Sequence, residues 1–248
     1  MKGRIKWVFT FLLILTIASI GFSLTYWRVQ EVVLQYYYDL QNPQKEILTQ
    51  KEINRVLASF EAVSYEKMDK SYLQYTLSDV AKYKKLLQGK QYYRISRNDF
   101  FKYIVGDVRI KDLLAKDKYY KACLWNREAN YYWLINKNVL YKFLQLQDEL
   151  ERLGYDRKAY KVRNGHRHPK YNKTIGGASL SRHILGEAID LGIRDIDRNG
   201  KYEEKDKQIV LDLLDKTIIG SKGGVGKYPN TKAVHFDVRG YRARWDSY

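Results

Sequence analysis

The spacing of apolar residues changes along this chain, and each change predicts a different element. The run from Trp7 to Trp27 carries no charge, between Lys2, Arg4 and Lys6 on one side and Arg28 on the other. It is long enough to cross a bilayer, which takes about 20 residues, and its terminal aromatics (Trp7; Tyr26 and Trp27) suit the two interfaces. An uncleaved anchor over 1–28 is preferred to a cleaved signal peptide, because no clean small-x-small site follows the run. The basic amino end predicts that everything after Arg28 lies outside the cytoplasm.

Beyond the anchor the period becomes helical. Thr49 and Glu52 form a capping box ahead of Ile53, Val56, Leu57 and Phe60, spaced i, i+3, i+4, i+7. Ser78-Asp79 and the stretch from Ser96 to Asp99 read as further helix starts. Residues 29–130 are therefore expected to form a helical spacer without a catalytic constellation. Val139, Leu140, Phe143, Leu144, Leu146 and Leu150 predict an amphipathic helix closing near Gly154.

After that helix the period drops to two. Ala159 to Val162 reads as a strand. Ile189, Leu191 and Ile193 alternate with Ala188, Asp190 and Gly192, and Val234, Phe236 and Val238 alternate with His235 and Asp237. The expected fold is α+β: an anchor, a spacer, and over 131–248 a domain whose small antiparallel sheet is flanked by helices.

Charge and composition narrow the partners. A formal charge of +17 points to anionic polymers, anionic lipid headgroups or simply a solvated basic surface. No nucleic-acid partner is expected on the far side of a membrane. The single Cys123 excludes an internal disulfide and a CxxC pair. All four histidines (His166, His168, His183, His235) lie in the C-terminal half.

Two of them suggest a metal centre. His183 and Asp190 suit a zinc-like divalent ion, but on a regular helix they would stand about 10 Å apart along the axis. Gly186 offers a turn that folds Asp190 back toward His183. The third ligand is sought in Val234-His235-Phe236-Asp237, where His235 and Asp237 share one strand face. A His/Asp/His set leaves a fourth position for water, as catalytic zinc sites do.

The pattern Ser181-x-His183-x-x-Gly186-x-Ala188-x-Asp190, then Gly223-Gly224-Val225-Gly226-x-Tyr228-Pro229 and Val234-His235-Phe236-Asp237, resembles the M15 zinc peptidases. The resemblance extends to Arg167-His168-Pro169-Lys170-Tyr171-Asn172, Gly176-Gly177-Ala178 and the segment from Arg239 to Trp245. It implies a metallopeptidase acting on peptidoglycan stem peptides, at an amide next to a D-amino acid, as carboxypeptidase or endopeptidase. It implies zinc on His183, Asp190 and His235. Arg167 would meet the substrate carboxylate or the developing oxyanion, and Ser181 would orient His183 or cap a turn.

The family's pattern is broken at one place. Many members carry Glu three residues before the last histidine ligand, where this chain has Lys232. Asp237 is then the nearest candidate base, with orientation of His235, or pairing with Arg239 or Arg242, as the alternative. His166 and His168 are outside candidates for proton transfer. A rival reading is a non-catalytic wall-binding module that keeps the metal site. Gly223 to Gly226 lacks the ending of a phosphate loop and is expected as a tight turn. Asp195, Asp197, Asn199 and Asp206, with Gly200 at the sixth position, follow an EF-hand calcium loop; an ion-free polar turn is the equal alternative.

Overall fold

The computed structural model describes residues 26–126 and 129–246. The predicted anchor lies outside them except for its last residues, and no helix among the described residues is long and apolar enough to cross a membrane. Described helix begins with α1, residues 26–41. It is followed by α2 (Gln50–Ala58), where Thr49 Oγ1 accepts from the Glu52 N–H at 3.2 Å.

The expectation of a helical spacer over 29–130 is corrected next. The segment holds strands β1 (Glu61–Ser64), β2 (Gln91–Ile95), β3 (Tyr103–Val105) and β4 (Val108–Arg109) as well as helices. Helices α3 (Lys70–Thr76) and α4 (Ala81–Leu87) connect β1 to β2, and α5 (Lys118–Trp125) follows β4. Strand β5 (Tyr131–Trp133) then pairs antiparallel with β2, closing a three-stranded sheet in the order β1-β2-β5. Its tyrosines and Trp133 bury on both faces, a short aromatic run that no period-two pattern announces.

The helix α6 (Lys137–Arg152) buries Val139, Leu140, Phe143, Leu144, Leu146 and Leu150, and Asn136 caps it. It is followed by β6 (Tyr160–Asn164), α7 (Pro169–Thr174), β7 (Ala188–Ile193), α8 (Glu204–Asp212), β8 (Gly224–Lys227), β9 (Ala233–Asp237) and β10 (Ala243–Trp245). The second sheet runs β10-β8-β9-β7-β6. It is antiparallel except at β8–β10, which pair in parallel, so the expected all-antiparallel sheet is corrected at that edge. The fold is α+β.

One hydrophobic core crosses the expected boundary at 130/131. It runs from Ile53 and Phe100 through Trp133 and Phe143 to Leu191 and Phe236. Residues 29–130 are thus packed onto the C-terminal sheet rather than held apart from it.

Candidate metal centre

His183 is placed by a turn and two caps. Residues Arg182–Leu185 make a single 3-10 turn, in which Ser181 Oγ accepts from the His183 N–H at 3.4 Å. Gly186 ends it with φ 65°, a left-handed conformation that glycine adopts at no steric cost. A Cβ there would also run into the Leu134 carbonyl, so the turn lies directly against the end of β5. The chain then enters β7, where Asp190 stands opposite His235 of β9 in the antiparallel register.

Three donor atoms meet as a result. His183 Nε2 lies 3.1 Å from Asp190 Oδ1 and 3.2 Å from His235 Nδ1, and His235 Nδ1 lies 2.8 Å from Asp190 Oδ1. All three side chains are buried. The far nitrogens are occupied: His183 Nδ1 lies 2.7 Å from the Gly165 carbonyl, and His235 Nε2 lies 3.0 Å from Asp237 Oδ2. The Gly165 carbonyl places the His183 proton on Nδ1, while both ring nitrogens of His235 face a carboxylate. His183 Nε2 therefore turns its lone pair toward Asp190 Oδ1 and His235 Nδ1. With the His235 proton on Nε2 the three donor atoms converge on one point, and their spacings approach the edge of about 3.3 Å of a tetrahedron around zinc at ~2.0–2.1 Å. The donor set fits zinc.

Electrostatics supports the same picture. Burial pushes the His183 pKa down, against the opposing pull of Asp190. Burial alone would also lower His235, yet its hydrogen bonds to Asp190 and Asp237 raise it instead. Burial would raise Asp190, but His183 and His235 hold its carboxyl well below the ordinary range.

The Asp237 carboxylate is fully buried and faces His235 from the side opposite Asp190. Its oxygens also accept from the N–H groups of Gly224 and Arg239 and from the Arg239 guanidinium, at 2.6 to 3.1 Å. Burial would raise its pKa, but His235 and Arg239 drive it far down. These hydrogen bonds occupy both Asp237 oxygens and place the carboxylate where it orients His235, the alternative to the general-base reading. Arg242 pairs instead with Asp215.

Arg167 donates to Asp190 Oδ2, the oxygen that does not face the histidines. Its backbone N–H bonds the His183 carbonyl at 3.1 Å, and its Nε is buried without a hydrogen-bond partner. Lys232, in the place of the family's Glu, lies with its ammonium over the Tyr202 ring. His166 is buried, its pKa pushed down to about 3 by burial and by its histidine neighbours, so it stays neutral. His168 bonds Asp117 rather than the centre.

The glycines of Gly223 to Gly226 do not form the expected turn. Most lie in β8, where side chains would collide: a Cβ on Gly224 would enter the Asp237 carboxylate, and one on Gly226 the Trp245 ring. Trp245, on β10, lies with its ring 5.0 Å from that of His235. Trp245 belongs to the segment that resembles the family but had no role read for it, and Asp117, which reaches the site's flank through His168, was not singled out in the sequence.

Elsewhere, Asp195, Asp197 and Asp206 carry carboxylate oxygens within 4.8 Å of one another. Asp206 is buried and accepts from the N–H groups of Ile196, Asp197 and Glu203. The Asn199 side chain turns instead to Lys201 N–H and Glu203.

A buried His/Asp/His group able to hold a divalent ion, carried by a 3-10 turn and two adjacent strands of an α+β fold, defines the class of site: a candidate metal centre. Residues 134–237 match the sequence model of a family described as Peptidase M15, and over this stretch the chain is similar to that family. No curated protein and no solved structure matches the chain.

Proposed function

We propose that the protein is a zinc-dependent peptidase that hydrolyses an amide bond next to a D-amino acid in peptidoglycan stem peptides. The observation that carries the metal reading is the meeting of three buried donor atoms from His183, Asp190 and His235. A zinc ion there would polarise the scissile carbonyl and lower the pKa of a water ligand toward ~7. The substrate class rests on the M15 match and the resemblance of the motifs around it.

The chain's own residues divide the remaining work. Asp237 and the Gly165 carbonyl fix the two imidazoles in the tautomers that ligation needs. Arg167 steadies Asp190 and keeps Nε available, a buried donor whose desolvation a substrate carboxylate or oxyanion would offset. The uncharged run behind a basic amino end supports an anchored protein with this domain on the extracytoplasmic side. Lys232 supports the alternative, a wall-binding module without turnover.

The test incubates the full chain, purified in detergent and loaded with zinc, with muropeptides, and reads products by mass spectrometry. Loss of a terminal D-alanine or splitting of cross-linked dimers, absent in His183→Ala, is expected. Stoichiometric zinc with no product would establish the binding module instead.

A further inference from the structure

Helix α1 is apolar on two opposite faces. Glu31 and Tyr38 are buried against the body, with Trp27 and Leu34 half-buried beside them. The opposite face carries Val29, Val32, Val33, Tyr36, Tyr37 and Leu40, each between 52% and 67% exposed. A surface helix normally turns a polar face outward, and an apolar one marks an interface.

The spacing says what kind. Val29, Val33, Tyr36 and Leu40 recur at intervals of four, three and four, the d-a-d-a seam of a coiled coil. Val32 and Tyr37 flank them at g and e, while the buried Glu31 and Tyr38 occupy f, directly opposite the seam. No seam residue is charged, and the flanking Asp39 is already neutralised by Arg109 at 2.9 Å. Identical copies can therefore meet here without like-charge repulsion.

Lipid is a poor occupant for this face. On the anchored reading proposed above, on which this inference rests, Leu40 lies thirteen residues beyond Trp27, about 20 Å along a helix rising 1.5 Å per residue and so clear of the bilayer. A second chain anchored in the same membrane has the same direction and the same stripe. We propose that α1 pairs in parallel with α1 of a second copy, through Val29, Val33, Tyr36 and Leu40, as a two-fold symmetric dimer. The contact is small, so shared anchoring supplies the effective concentration that makes it persist.

The test places single cysteines at Val33→Cys, Leu40→Cys and Gln35→Cys in the full chain, reconstituted in bilayers and oxidised; the native Cys123 is buried. Disulfide dimers are expected at positions 33 and 40, forming several-fold faster than at position 35. Equal rates at all three positions, or no dimer at 33 and 40, would overturn the pairing. An environment-sensitive dye on Leu40→Cys that reports lipid contact, without cross-linking, would likewise overturn it in favour of the membrane. None of these readouts depends on peptidase activity.

Discussion

Asp117 Oδ2 lies 2.8 Å from His168 Nε2, and this pair ties the N-terminal half of the chain to the loop that carries Arg167. His168 Nδ1 accepts from the Tyr171 N–H at the head of α7, so Nε2 holds the proton and donates it to Asp117. Asp117 also accepts from the Tyr120 N–H and the Tyr75 hydroxyl. One carboxylate thus joins α3, α5 and α7.

Asp117→Asn places an amide donor opposite groups that already donate. A loss of about 1–3 kcal/mol of stability is expected, the usual cost of a spoiled buried polar contact, measured by urea unfolding at pH 7. Burial would raise the Asp117 pKa, but the His168 hydrogen bond and charge lower it overall. A depressed carboxyl stabilises the fold above its ordinary value near 4, and that contribution disappears as pH falls through the lower folded value. Wild type and variant should therefore converge in acid. A constant gap down to pH 2 would show that the ionised carboxylate contributes nothing.

How much of this was legible from residues alone differs by element. Period-two alternation located β7 and β9, and with them Asp190 and His235, because those strands bury one apolar face each against α6. The turn at Gly186 was legible because left-handed backbone selects glycine. Strands β1 to β5 were not, since they are short, rich in tyrosine and buried on both faces in places, where propensity yields to tertiary packing. The role of Asp237 was ambiguous for a different reason: strand-face arithmetic places it beside His235 but cannot say that Arg239 and Gly224 fill its oxygens.

Orientation of His235 by Asp237 predicts an effect on metal binding rather than on proton transfer alone. Asp237→Asn should weaken zinc affinity by roughly 10- to 100-fold, the usual effect of losing a ligand's hydrogen-bond partner. Competition against a chromophoric chelator measures it. Unchanged affinity with lost turnover would favour the general-base reading.

Zinc itself should stabilise the fold, since its ligands come from a turn and two strands that meet only when folded. At a free concentration of 100 times its Kd the gain is about 2.7 kcal/mol, visible as a rise in Tm on zinc addition and its reversal by a chelator. His183→Ala should abolish the rise. A Tm that ignores zinc in the wild type would remove the metal centre from the account.

Glu31 fixes α1 to the body. Its carboxylate accepts from Lys111 Nζ at 2.6 Å, Lys116 Nζ at 3.1 Å and the Tyr120 hydroxyl at 2.8 Å, almost out of contact with water. Burial would raise its pKa, but Lys116 and Lys111 pull it below the ordinary value. Glu31→Gln leaves two ammonium groups facing a neutral amide, and breaking a buried pair from one side costs about 3–5 kcal/mol. The stability lost is that of the ionised form, so the difference should be full at neutral pH and shrink as pH falls below about 4.3. Urea unfolding at pH 7 and pH 3 reads both limbs. Should Glu31→Gln cost nothing at pH 7, the helix must be held by its apolar contacts through Trp27, Leu34 and Tyr38 and by the Asp39–Arg109 pair, and the Glu31 cluster would be a consequence of docking rather than its cause.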